Sequence, residues 1–163
     1  MCFYSKEKEA WRSLGNTPLI GYHSMARHNP IRNEVLFAGG NSRGHVVVIL
    51  DADGKTERMK DCPVDLNINH DIITVDPVSG RYLIMGTKEK QLIEFDSEKN
   101  EYRLADDFKK TPYPFGRYSH PMVAFIPEYG VTMWADRKVH LYKHDASAEY
   151  PVVELKAERG KGK

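Results

Sequence analysis

Cysteine is scarce in this sequence: Cys2 and Cys62 are the only two. Neither stands in a C-x-x-C or other metal-ligand spacing, so a disulfide framework and a thiolate zinc site are both excluded, and the pair is read as two free thiols. An excess of one charge is missing as well, with 24 Lys and Arg against 23 Asp and Glu and a net charge of +1. Without a basic field there is no general draw toward nucleic acid or an anionic membrane, and neither is expected as a partner. Residues 1–20 mix charged and apolar side chains, so no signal peptide or transmembrane segment is expected, and the compartment stays open. The Walker and dinucleotide fingerprints are absent. The acidic segment DADG at 51–54 lacks a glutamate at calcium-loop spacing, so it reads as a turn between strands.

What the sequence does have is an internal repeat. His23, His70 and His120 each stand seven residues before a proline, namely Pro30, Pro77 and Pro127. Aligned on the histidines, HSMARHNPIRNEVLFAGG, HDIITVDPVSGRYLIMGT and HPMVAFIPEYGVTMWADR bring apolar runs at 35–38, 82–85 and 131–134 to within one residue of register. The period is 47 and then 50 residues, a size that belongs to radial or stacked arrays.

Each unit divides into four short strands. The first follows the histidine, at 24–27, 72–75 and 122–125, and ends in a turn carrying the proline. The second is the apolar run, whose lack of alternation predicts cover on both faces. A third strand is expected at 46–50, 92–95 and 139–142, followed by an acidic turn. A more polar fourth strand at 56–59, 101–104 and 151–155 suits an exposed rim. Residues 3–12, FYSKEKEAWR, match 95–103, FDSEKNEYR, with one insertion, so the chain is expected to open on the third and fourth strands of an earlier unit. The pattern predicts an all-β chain with a half unit at 1–20, units at 21–66, 67–115 and 116–155, and a flexible basic tail at 156–163.

LFAGG at 36–40 followed by Leu50-Asp51, and Ile84-Met85-Gly86 followed by Phe95-Asp96 and Tyr102, resemble the kelch motif. Units two and three depart from it, with Gly86-Thr87 and Ala135-Asp136 where the motif has paired glycines. The resemblance spans residues 1–155 and implies β-propeller blades of four antiparallel strands, as in the central domain of galactose oxidase. Closed propellers have about four to eight blades. Three and a half units therefore imply an incomplete ring, about half a propeller. Such an arc is expected either to belong to a longer chain or to pair as a homodimer that completes the ring, the leading half unit supplying outer strands to its neighbour.

Two sets of residues point to chemistry. His23, His70 and His120 precede the innermost strand of each unit, and the resemblance implies that these positions converge at one mouth of a central channel. Three imidazoles there could hold a transition metal such as Cu or Zn, or each could simply bond the backbone of the next unit. Tyr22-His23-Ser24, and more loosely Tyr118 with His120, resemble the Tyr and His of the copper site in galactose oxidase-like enzymes. The cross-linked cysteine of that site has no counterpart in Cys2 or Cys62. The second set is Arg27, Arg43 and Arg117 with Tyr22, Tyr113, Phe115 and Tyr118, cations and aromatics on mouth loops that suit carbohydrate stacking or peptide recognition. Tyr113 and Phe115 could equally plug the space between units. His45, His140 and His144, in or beside third strands, are read as surface residues. The expectation is a non-catalytic, cofactor-free kelch-like module that binds a protein or carbohydrate through mouth loops. The alternative is a metal-dependent enzyme or metalloprotein, with a galactose oxidase-like or tri-histidine site.

Overall fold

Short apolar runs separated by tight turns can satisfy their backbone groups by pairing with the next run along the chain, and that is how this sequence folds. The computed structural model describes residues 2–5, 10–13, 22–41, 43–69, 71–115 and 122–155. Strands β1 (Cys2–Ser5) and β2 (Ala10–Ser13) form an antiparallel hairpin. The first four-stranded sheet runs β3 (Ser24–Asn29), β4 (Glu34–Gly39), β5 (Val47–Leu50) and β6 (Thr56–Arg58) in spatial order. The second runs β7 (Ile72–Val75), β8 (Tyr82–Gly86), β9 (Gln91–Asp96) and β10 (Glu101–Asp106). The third has β11 (Met122–Ile126), β12 (Val131–Ala135) and β13 (Val139–Tyr142). Every pairing between these strands is antiparallel and joins neighbours in sequence. The first strands of successive sheets are neighbours, β3 beside β7 and β7 beside β11. The sheets are thus blades ranged side by side with their innermost strands together.

Turn chemistry sets the strand ends. The DADG segment is a turn, its Asp51 carboxylate accepting from the backbone N–H of Asp53 (3.0 Å) and Lys55 (2.8 Å). Gly39 adopts φ +73°, and a Cβ there would lie 2.3 Å from the Leu66 carbonyl oxygen. The first half of the glycine pair is therefore required by backbone conformation and by the close passage of the link between blades.

The blades pack through two apolar layers. Leu36, Val47 and Ile49 of the first blade meet Ile73, Ile84 and Phe95 of the second. Ile72, Leu83 and Leu92, on the opposite face of the second blade, meet Trp134 of the third. Covered on both sides, β7 and β8 are buried throughout, as their continuous apolar runs predict. In β12 only Thr132 and Trp134 are buried, because its other face meets no further blade among the described residues. Tyr102 stacks on Phe95 at 4.3 Å and donates its hydroxyl to the Lys60 carbonyl (2.9 Å), binding an outer strand to the link from the preceding blade.

The fourth strand of the last unit departs from expectation. Residues 151–153 pair with the outer strand of the second blade: Val152 bridges Arg103, Leu104 N–H donates to the Pro151 carbonyl, and Val153 N–H donates to the Tyr102 carbonyl. The cause is a buried carboxylate. Glu94 lies on β9 with no exposed side-chain surface, 3.1 Å from Arg81 Nη1 and 2.6 Å from His144 Nε2. His144 Nδ1 lies 3.0 Å from the Tyr142 hydroxyl, its ring stacks on Tyr150, and Arg81 also donates to the Ala146 carbonyl (2.9 Å). A buried carboxylate must be paired. Meeting that demand draws the segment after β13 across the second blade, and the chain continues onto the edge of β10.

The three histidines read as surface residues are corrected accordingly. His144 is buried against Glu94, His45 is partly buried with Nδ1 2.8 Å from the Cys62 carbonyl oxygen, and His140 Nε2 is a buried nitrogen. Toward the first blade the polar line continues through Arg81 to Asp96 (3.4 Å), Asp96 to Arg32 (3.0 Å), Arg32 to Ser97 (2.6 Å) and Ser97 to Glu34 (2.6 Å).

Burial raises the Glu94 pKa, but hydrogen bonds from His144 and Arg81 outweigh it and hold the carboxyl below its ordinary value. A depressed folded pKa means stabilisation that is present above the unfolded value and lost as pH falls through the folded one. Glu94→Gln is expected to destabilise the protein by about 3 kcal/mol in chemical denaturation at pH 7, since it removes the buried carboxylate that Arg81 and His144 share and leaves Arg81 only the longer contact to Asp96. The variant is also expected to show a shallower loss of stability than wild type below about pH 4.

Candidate functional site

The loops at the ends of the inner strands gather a polar cluster. His23 stands just before β3 with φ +64°, a left-handed conformation uncommon outside glycine. Its Nδ1 donates to Asn41 Oδ1 (2.7 Å), just past β4. The Asn69 amide nitrogen, just before β7, lies 3.2 Å from Nε2 and 3.3 Å from Nδ1. Asn67 donates a second amide hydrogen to Asn41 Oδ1 (3.2 Å). Tyr22 lies over the His23 ring with centroids 3.9 Å apart and is 69 % exposed. The backbone ties the same loops, through Asn41 N–H to the Tyr22 carbonyl and Ile68 N–H to the His23 carbonyl.

Beneath the cluster Asp71 acts as an anchor. Its carboxylate accepts from the backbone N–H of Asn67 (2.8 Å) and Thr87 (2.9 Å), joining the start of β7 to the end of β8. The cluster therefore presents an exposed aromatic face and several amide groups on a braced loop set. Each primary amide offers two donors and an acceptor.

A groove of about 480 Å³ opens beside the inner strands, lined by Ala26, Arg27, Ile68, Ile72 and Met122 among others. Arg27 also lines a smaller cavity of about 250 Å³ with His28, Thr74 and Phe125. Its Nε donates to the Ile73 carbonyl (2.6 Å), and burial lowers its pKa from the usual value. Thr74 Oγ1 is buried without a hydrogen-bond partner among the described residues.

Tyr22 and His23 meet in this cluster. Tyr113 and Phe115 lie elsewhere, in the layer between the second and third blades. Phe115 is buried against Trp134 at 6.2 Å, and Tyr113 contacts Phe115 and Phe108 edge-on. Burial raises the Tyr113 pKa. Both side chains fill the space between blades. His70, His120, Arg117 and Tyr118 lie outside the described residues, so the convergence of the three histidines has no geometry here.

Among the described residues no three His, Cys, Asp or Glu side chains gather at a point where they could hold a metal ion. The amides of Asn41, Asn67 and Asn69 were missed from sequence, although Asn67 and Asn69 fall just before His70 and Asn41 directly follows the Gly39-Gly40 pair. No protein-family model matches the chain, and no curated protein matches it.

Cys62 is fully buried, and burial pushes its thiol pKa well up. In the native protein at pH 8 it is expected to resist alkylation by a maleimide and to react fully once unfolded, as read by mass spectrometry of the peptide that contains it.

Proposed function

We propose that this chain is a non-catalytic, kelch-type propeller module that binds a neutral glycan at the loops around Tyr22 and His23. The observation that carries the reading is the joining of Tyr22, His23, Asn41, Asn67 and Asn69 into one exposed polar group with an aromatic face. Sugar rings offer vicinal hydroxyls that donate and accept together, and planar amides match them, while the apolar face of the ring stacks on an aromatic side chain. The absence of a basic field favours an uncharged ligand over nucleic acid or an acidic polymer. The kelch assignment is supported by Gly39 in its left-handed turn and by the stacking of Tyr102 on Phe95.

The metal-dependent alternative, with His23, His70 and His120 as ligands, draws less support from His23 itself. Its Nδ1 bonds Asn41 and its Nε2 faces the Asn69 amide, so the ring is held by amides.

An array of neutral oligosaccharides probed with the full chain, followed by calorimetric titration of the best ligand, tests the reading. Tyr22→Ala and Asn69→Ala are each expected to weaken binding about tenfold, the equivalent of about 1.4 kcal/mol, with unchanged thermal stability. Absence of binding across the array overturns the glycan reading. One metal per chain, lost in His70→Ala, replaces it with the metal reading.

A further inference from the structure

The third blade carries an apolar face that nothing among the described residues covers. Strand pairing sets Met122 opposite Ala135 and Ala135 opposite Val139, and likewise Ala124 opposite Met133 and Met133 opposite Leu141. Paired residues share a face, so these six apolar side chains form one surface across all three strands. Met122 is 71 %, Val139 65 % and Leu141 68 % exposed. A continuous patch of this kind on an isolated sheet is an interaction surface.

The repeat specifies what fits it. Met122 occupies the position of Ile72 in the second blade, and Ile72 packs in the layer that holds Val123 and Trp134 of the following blade. Each blade thus presents this face to the next and receives the preceding blade on its other face. At the other end of the array, the first blade carries the receiving face. Ala26 stands where Val123 stands and Phe37 where Trp134 stands; Ala26 is exposed and Phe37 partly buried, while Val48, paired with Phe37, is buried, so the open part of this face lies on its inner strands. Among the described residues the row of blades therefore has a presenting face at one side and a receiving face of the same kind at the other.

We infer that a second copy of this chain seats its first blade, through Ala26 and Phe37, on the Met122–Met133–Leu141 face of the third blade, and that the reciprocal contact closes a six-bladed two-fold ring. Closure doubles the contact and covers both the presenting face and the exposed inner part of the receiving face, which an open head-to-tail chain cannot do. It also accounts for the edge of β13, which pairs with no strand on its outer side among the described residues, since residues 151–153 lie on β10. The β1–β2 hairpin preceding β3 in the partner is then available to cap that edge. The inference rests on blade order and stands apart from the glycan reading.

Light scattering on the full chain at about 50 µM is expected to give twice the chain mass; a monomer overturns the inference. Met122→Lys and Ala26→Glu, both exposed positions, are each expected to give monomers with wild-type far-UV circular dichroism. Mixed one to one, they are expected to restore a dimer containing one copy of each, because one of its two contacts is wild type and the other joins Lys to Glu. Leu141→Lys supplies a second variant on the presenting face should Met122→Lys not fold. A dimer broken by Met122→Lys but kept by Ala26→Glu indicates two presenting faces packed together and overturns the ring, as does a dimer that survives every variant.

Discussion

A single buried carboxylate organises this molecule. Glu94 sits on β9 in the most enclosed part of the second blade, where an unpaired charge would be prohibitively costly. Arg81 meets it from just before β8, and His144 meets it from the segment beyond the third blade. From Arg81 the line of polar contacts passes through Asp96, Arg32 and Ser97 to Glu34 of the first blade. The apolar layers supply the nonspecific cohesion between blades. This line supplies a fixed registry, since each partner in it must meet a particular atom.

The rim and the loop cluster follow from that registry. Once His144 is drawn to Glu94, the remaining chain is carried onto β10, which stiffens the second blade's rim and leaves β13 without an outer partner among the described residues. At the inner end, Asp71 fastens the loops on either side of β7 and β8, and the amides of Asn41, Asn67 and Asn69 assemble around His23. Hydrogen-bonded amides held on short braced loops favour recognition, because little conformational freedom is left to lose when a ligand binds.

The strands were legible in the sequence almost residue by residue. The expected 72–75 and 139–142 are β7 and β13 as observed, and the other inner strands differ only at their ends. Apolar runs and turn residues act locally, so a repeat that aligns them three times leaves little room for error. The fourth strand at 151–155 failed because polar outer strands carry no distinguishing pattern and the deciding contact, His144 with Glu94, spans 50 residues. A glutamate inside the apolar run of β9 was the available sign that a distant partner would be needed. The site was half legible: Tyr22 and His23 stood out by repeat position, whereas Asn41, Asn67 and Asn69 look in sequence like ordinary turn residues.

By itself the sequence determined the number of units, their strands and their antiparallel order, because these follow from alternating apolar runs and turns whose reach is a few residues. Only the tertiary structure decided which side chains share a surface. It placed Tyr113 and Phe115 between blades, His144 in the interior, three asparagines around one histidine, and six apolar residues on one open face. Those outcomes depend on how far neighbouring blades stand apart and which charges must be paired when water is excluded, quantities that no local pattern along the chain encodes.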